Sequence, residues 1–255
     1  ARAEHELGLP IPAEQVAVAS TGVIGQPLDI APIAKGIPEL VRALSRDSSG
    51  AAQAIMTTDT VEKQVAVEFE LDGRMCRIGG MAKGSGMIHP DMATMLVYLT
   101  SDVNITAEML QKALSGDVGN TFNMLSVDGD TSTNDMVLLL ANGEAGNSEI
   151  NCENDAFRTF MCALNTVNVA LCRMLAGDGE GATKLLDCVV TGAATEADAK
   201  LGAKAVICSS LVKAAMFGAD ANWGRVLCAL GYSGAAFDPE SVGVTFRSAA
   251  GEVEV

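Results

Sequence analysis

The chain predicts a layered α/β (α+β) sandwich, and three observations carry that prediction. Short apolar segments of strand character alternate with helical segments along the 255 residues, without the strict strand–helix–strand rhythm of a doubly wound sheet. Lys63 to Leu71 and Arg74 to Ile78 flank Asp72-Gly73, the clearest hairpin signal in the sequence. Phe157 to Leu175 is the longest run of helical periodicity and is stopped by Gly177 and Gly179.

The other elements follow in order. Gln15 to Ser20 alternates weakly and ends at Thr21-Gly22, which predicts a strand entering a turn. Ile37, Leu40, Val41 and Leu44 have helical spacing over 37–45. After the hairpin, Gly79-Gly80 leads into a Gly-rich loop around Lys83, and Thr94 to Leu99 predicts a buried strand. Thr106-Ala-Glu-Met opens a helix to Leu114 in a capping-box pattern. Met136 to Leu140 predicts a strand ended by Asn142-Gly143, Leu185 to Val190 another strand, Glu196 to Ile207 a helix, and Val226 to Leu230 part of a further helix. No internal repeat or low-complexity tract interrupts this order.

Composition bounds the function. Half the residues (49%) are apolar and 19% are charged, a globular balance. A net charge of −15 argues against binding nucleic acid or an anionic membrane surface. Seven cysteines with no C-x-x-C pair and mostly apolar neighbours predict reduced, buried thiols. The first residues carry charge and lack an apolar signal core, and the richest apolar stretch, 157–175, is broken by Asn165, Asn168 and Arg173. A cytoplasmic, soluble protein is the expectation.

The chemistry concentrates in Lys83-Gly-Ser-Gly-Met-Ile-His-Pro-Asp-Met-Ala-Thr94-Met-Leu96. A threonine hydroxyl is a weak nucleophile without a neighbouring base. A cut before Thr94 would free an α-amine able to serve as that base near neutral pH. The two histidines, His5 and His89, form no Ser/His/Asp or zinc-binding pattern, so that amine has no obvious rival. On spacing alone, Ala93-Thr94 reads first as an ordinary loop entering a buried strand.

Lys83 sits in a Gly-rich loop that lacks phosphate-binding spacing, which leaves a solvated lysine as the plain alternative. Glu180, on the Gly-rich turn after the long helix, reads as a carboxylate for an ammonium group or as a solvated loop acid. Thr21-Gly22 could aim a hydroxyl and backbone N–H groups at one point, as an oxyanion requires, or be an ordinary turn. Asp128 to Asp135 departs from a calcium loop at its sixth and twelfth positions, Thr133 and Leu139, and reads as a polar loop buttressing the site. Trp223, in Asn222-Trp-Gly-Arg225, is expected in the core or at an interface.

The Lys83–Leu96 segment resembles the self-cleavage signature of the ornithine acetyltransferases of arginine biosynthesis. Five further segments resemble the same family in order: Ala19 to Gly25, Thr57 to Thr60, Val127 to Asp135, Asp178 to Lys184, and Asn222 to Arg225 with Gly231 to Gly234. The resemblance implies an N-terminal-nucleophile fold cut at Ala93–Thr94, with an α segment 1–93, a β segment 94–255, and about 195–255 as an incomplete second subdomain. It implies Thr94 as nucleophile, Thr21 and Gly22 as the oxyanion hole, and Lys83 and Glu180, with Thr21 and Thr94, as substrate contacts. It further implies acetyl transfer from N-acetylornithine to glutamate without a metal or organic cofactor, with acetyl-CoA open as a second donor. The cut chains would form an α/β heterodimer and assemble as a heterotetramer. Family members carry further segments on both sides of this length, including substrate contacts at the C-terminal end. An amidase or aminopeptidase of the same architecture, passing the acyl group to water, is the alternative enzyme. An uncut, inactive homologue serving as a subunit is the non-enzymatic one.

Overall fold

The computed structural model describes residues 11–89 and 95–255. The expected scissile bond Ala93–Thr94, and His5, lie outside the described residues.

Four strands form the main sheet in sequence order: β1 (Lys63–Leu71), β2 (Arg74–Lys83), β3 (Leu96–Ser101) and β4 (Met136–Ala141). Strand β2 is antiparallel to both β1 and β3, and β3 pairs with β4 in parallel. The β1–β2 hairpin closes as expected. Asp72 and Gly73 have φ of 52° and 71°, the doubly left-handed turn that matches the twist of paired strands. Strand β2 runs further than the sequence suggested, because Gly79 and Gly80 stay paired on both sides and Lys83 ends the strand instead of lying in a loop. Gly80 is needed there, since a Cβ would lie 2.4 Å from Leu99 Cδ2 and 3.2 Å from Leu171 Cδ1.

Helices number from the N-terminal side: α1 (Ala31–Arg42), α2 (Ser49–Ala54), α3 (Ala107–Val118), α4 (Asp155–Gly177), α5 (Glu196–Cys208), α6 (Ser210–Phe217) and α7 (Trp223–Gly231). Helix α3 is the crossover between β3 and β4. Helix α4 lies across β1 and β2. Its Phe160, Leu164, Val167, Leu171 and Leu175, spaced three or four apart, are fully buried against Ile78, Val97 and Leu99 of the sheet. By length and composition α4 could cross a membrane, but this buried stripe on the sheet accounts for its apolar character. Val206, Val212 and Ala229 join α5, α6 and α7 in a second, smaller cluster. A final hairpin pairs Thr245–Ser248 (β5) with Gly251–Glu254 (β6).

The layered mixture of helix and sheet matches the sequence prediction, with corrections in detail. Gln15 to Ser20 is not a strand: no ladder partner lies beside it among the described residues, and Val18 is 81% exposed. Leu185 to Val190 keeps alternating exposure, with Leu186 and Cys188 turned toward the small cluster, yet it pairs with no strand. Alternation shows that a segment is extended and half-buried, but it does not supply a hydrogen-bonded neighbour. Helix α1 starts six residues earlier than the apolar spacing indicated. Asp29 accepts from the Ala31 N–H at 2.9 Å and Pro32 suits the first turn.

Thr106 caps α3 through the Met109 N–H, but methionine at the third helical position leaves the reciprocal half of a capping box unmade. The cysteines are free thiols, though only Cys76 is buried; Cys152, Cys162 and Cys228 are exposed, so apolar neighbours in sequence did not ensure burial. Trp223 is 52% exposed and is no core residue, because it occupies the first turn of a helix whose apolar face is carried by Val226 and Ala229.

Candidate active site

The site is built around residues 83–89, which leave the end of β2. Gly84, at φ 149°, turns the chain out of the strand, and its N–H donates to Asp59 Oδ1 at 2.7 Å. Ser85 Oγ donates to the Asp178 carbonyl at 2.6 Å, and its own carbonyl accepts from the Glu180 N–H at 3.0 Å. Asp128 takes the next two N–H groups, Met87 at 2.5 Å and Ile88 at 3.0 Å. Val127 N–H then donates to the Ile88 carbonyl at 2.6 Å. Backbone groups that a loop would otherwise leave to water are thus tied, one by one, to fixed acceptors.

Beneath this loop lies a buried charge cluster. Lys63 Nζ sits 2.7 Å from Asp59 and 2.6 Å from Asp178, with all three side chains almost wholly enclosed. Thr57 N–H donates to Asp59 at 3.1 Å, and Thr60 donates through its N–H and its hydroxyl to Asp178. Burial pushes both carboxyls up, but the hydrogen bonds from Gly84, Lys63 and Thr57 hold Asp59 below the usual carboxylate range. Those from Lys63 and Thr60 do the same for Asp178.

Lys83 is 2% exposed, which excludes the solvated-lysine reading, and it makes no hydrogen bond or ion pair among the described residues. Its burial pushes the ammonium below its ordinary range; Asp59 and Asp135 oppose that shift and Lys63 adds to it. Register places Lys83 beside Leu96, which in turn lies beside Met136, the residue after Asp135. Asp135 Oδ1 accepts from the Met95 N–H at 2.7 Å, whereas Oδ2 is buried with no partner among the described residues. Burial drives this carboxyl up to about 6, against the Met95 hydrogen bond and the Lys83 charge.

Glu180 leaves the turn after α4 with its carboxylate against Gly86, where a Cβ would come within 2.6 Å of Cδ and Oε1. It is exposed at the rim of an open cleft of about 760 Å³ that runs between the end of α4, the extended 182–189 segment and α5–α6. His89 Nδ1 lies 3.0 Å from Ser126 Oγ and 3.6 Å from Cys208 Sγ, a grouping that sequence separation concealed.

Of the residues singled out from sequence, Glu180 and Asp128 meet on the 83–89 segment that Lys83 begins, and Asp135, the last residue of the polar run, holds Met95 N–H instead. Thr21 and Gly22 lie in a largely exposed segment, and no hydrogen bond ties them to that loop among the described residues. Sequence reasoning missed Lys63 altogether and treated Asp59, Asp135 and Asp178 only as members of polar segments. The one available signal was that these acids sit in three of the family-like segments.

The ArgJ family model matches residues 1–255, and the chain belongs to the ArgJ family. It is 54% identical over 247 residues to the arginine biosynthesis bifunctional protein ArgJ 1 of Clostridium acetobutylicum, covering 96% of this chain and 60% of that protein. It is 49% identical to the arginine biosynthesis bifunctional protein ArgJ of Thermotoga neapolitana, covering 97% and 62%. The crystal structure of the protein of that name from Bacillus halodurans superposes with a TM-score of 0.55 at 47% identity, over 58% of this chain and 68% of that one. The chain spans about 60% of the length of the curated relatives it matches.

Proposed function

We propose that the chain carries the self-cleaving core of an acetyltransferase that moves acetyl from N2-acetylornithine to glutamate. The chain cuts itself at Ala93–Thr94, leaving an α segment and a β segment that begins with the nucleophile. Thr94 Oγ accepts the acetyl group, ornithine departs, and the glutamate α-amine takes the acetyl from the threonine ester. Thr21 and Gly22 serve the tetrahedral oxyanion. No step needs a metal or an organic cofactor, and acetyl-CoA is a possible second donor at the same threonine. The two segments stay together as a heterodimer and assemble further as a heterotetramer in the cytoplasm.

The observation that supports this reading is a pair of opposite charges brought to the two ends of the short 83–86 segment, one from the end of β2 and one from the turn after α4. Lys83 is a buried cation with no partner among the described residues, and Glu180 presses its carboxylate on Gly86, three residues further along. An α-amino acid carries a carboxylate and an ammonium group, and such a pair recognises both ends. The names of the relatives, bifunctional proteins of arginine biosynthesis, agree with amino-acid substrates.

The test is a product assay on the purified full-length protein with N2-acetyl-labelled acetylornithine. Label moving to glutamate, with free acetate no higher than in an enzyme-free control, supports the transferase. Acetate released at the same rate with and without glutamate would instead identify a hydrolase.

A further inference from the structure

His89 has no part in the chemistry proposed above, and the fold gives it neighbours that the sequence keeps far apart. Its Nδ1 lies 3.0 Å from Ser126 Oγ and 3.6 Å from Cys208 Sγ, and Cys208 is 119 residues away along the chain. A thiol and a hydroxyl converging on one imidazole nitrogen make a grouping of nucleophile and base.

We infer that Cys208 is a modification site, a thiol deprotonated by His89 that forms mixed disulfides with small disulfide molecules. Among the described residues His89 holds the only imidazole, and it lies on this sulfur. With the ring proton on Nε2, Nδ1 accepts from both the Ser126 hydroxyl and the Cys208 thiol. Of these two donors the thiol is the better nucleophile, since it gives up its proton far more readily than a serine hydroxyl.

Charge and access fit the same role. Lys213 Nζ is fixed on the Ser126 and Val127 carbonyls, at 3.4 and 2.5 Å. Burial pushes this ammonium below its ordinary range, and Cys208 and Asp128 are the neighbours that oppose the shift. Lys213 is therefore within electrostatic reach of the sulfur, where a cation steadies a forming thiolate. Lys204, four residues before Cys208 on α5, adds a second ammonium, held on the Asn123 and Leu125 carbonyls. The Asp128 carboxylate is engaged by the Met87 and Ile88 N–H groups. Cys208 is half-buried, and Ser126, Ile207 and Lys213 beside it line the open cleft, which gives a small reagent its approach. Cys152, Cys162 and Cys228 are more exposed, so exposure alone would rank them ahead.

The step balances with the small disulfide as its one co-reactant. The Cys208 proton passes to His89 Nδ1 as the sulfur attacks one sulfur of the disulfide. A new S–S bond forms, the old one breaks, and the departing thiolate takes the proton from Nδ1. The products are the Cys208 mixed disulfide and one free small thiol. The adduct bears on His89, which closes the segment that Lys83 begins.

The experiment treats the reduced full-length protein with hydroxyethyl disulfide at neutral pH and follows each cysteine by peptide mass spectrometry. Each rate is divided by the rate of the same cysteine in urea-unfolded protein, which removes local sequence effects. Cys208 is expected to react first, ahead of Cys152, Cys162 and Cys228. His89→Gln keeps a hydrogen-bonding group for Ser126 but has no basic nitrogen. It should slow Cys208 about 10-fold or more and leave the three exposed thiols at their wild-type rates. Cys76, fully buried, should stay unmodified in both proteins and so reports that the variant is folded. A wild-type Cys208 that reacts no faster than the exposed thiols would overturn the proposal, and this arm needs no variant. So would a folded variant whose Cys208 keeps the wild-type rate.

Discussion

Lys63 at the head of β1 and Asp178 just beyond α4 are 115 residues apart in sequence and joined by a buried ion pair at 2.6 Å. The same ammonium holds Asp59, whose carboxylate in turn holds Gly84, while the Asp178 carbonyl holds Ser85. One lysine therefore joins the strand, the long helix and the loop that carries the candidate site.

Removing that lysine leaves two buried carboxylates without their counter-ion. Lys63→Ala is expected to cost about 3–5 kcal/mol, the cost of breaking a buried pair from one side. Urea unfolding checks this; a change under about 1 kcal/mol would show that the cluster is hydrated in solution.

The acids of the site give stability a pH dependence of two signs. Asp59 and Asp178 lie below their ordinary value when folded, so their contribution is present above about pH 4 and is lost as pH falls through their depressed values. Asp135 is shifted the other way, to about 6. Folding therefore favours its protonated form, and stability falls as pH rises from about 4 to about 6. Asp135→Asn removes that penalty, so the variant should match wild type near pH 4 and gain on it above pH 6 in denaturant melts. A gain that shrinks with rising pH would contradict the direction of the shift.

Gly80→Ala places a methyl group 2.4 Å from Leu99 Cδ2 and close to Leu171. Overpacking of this kind costs about 1–3 kcal/mol, which thermal or urea unfolding would register. An unchanged midpoint would mean that α4 can lift off the sheet freely.

Gly86→Ala acts on the site and spares the core. Its Cβ meets the end of the exposed Glu180 side chain, which can swing aside. Stability should change by less than about 0.5 kcal/mol, while KM for the amino-acid substrate rises with kcat little altered. An unchanged KM would remove Glu180 from the substrate contacts.

The fold was legible where a local rule decides structure. Asp72-Gly73 dictates its turn, and the spacing of Phe160, Leu164, Leu171 and Leu175 dictates the buried face of α4. It was not legible where a distant partner decides. Gln15 to Ser20 and Leu185 to Val190 alternate as strands do, but a ladder depends on what lies alongside. The same limit governs the site. Lys83 and Glu180 stood out through resemblance, and the polar run Asp128–Asp135 was rightly read as a buttress, since both of its terminal acids hold backbone N–H groups of the site. Lys63 carries no motif of its own, and its role arises only when β1 and the end of α4 meet.

The central claim is that Thr94 becomes an N-terminal nucleophile by self-cleavage. The intact mass of the purified full-length protein under denaturing conditions, with N-terminal sequencing of each fragment, tests it most directly. Two polypeptides, one beginning at Thr94, are the expected result, and Thr94→Ala should leave a single chain. One uncut wild-type chain, or a cut at any other bond, would contradict the account.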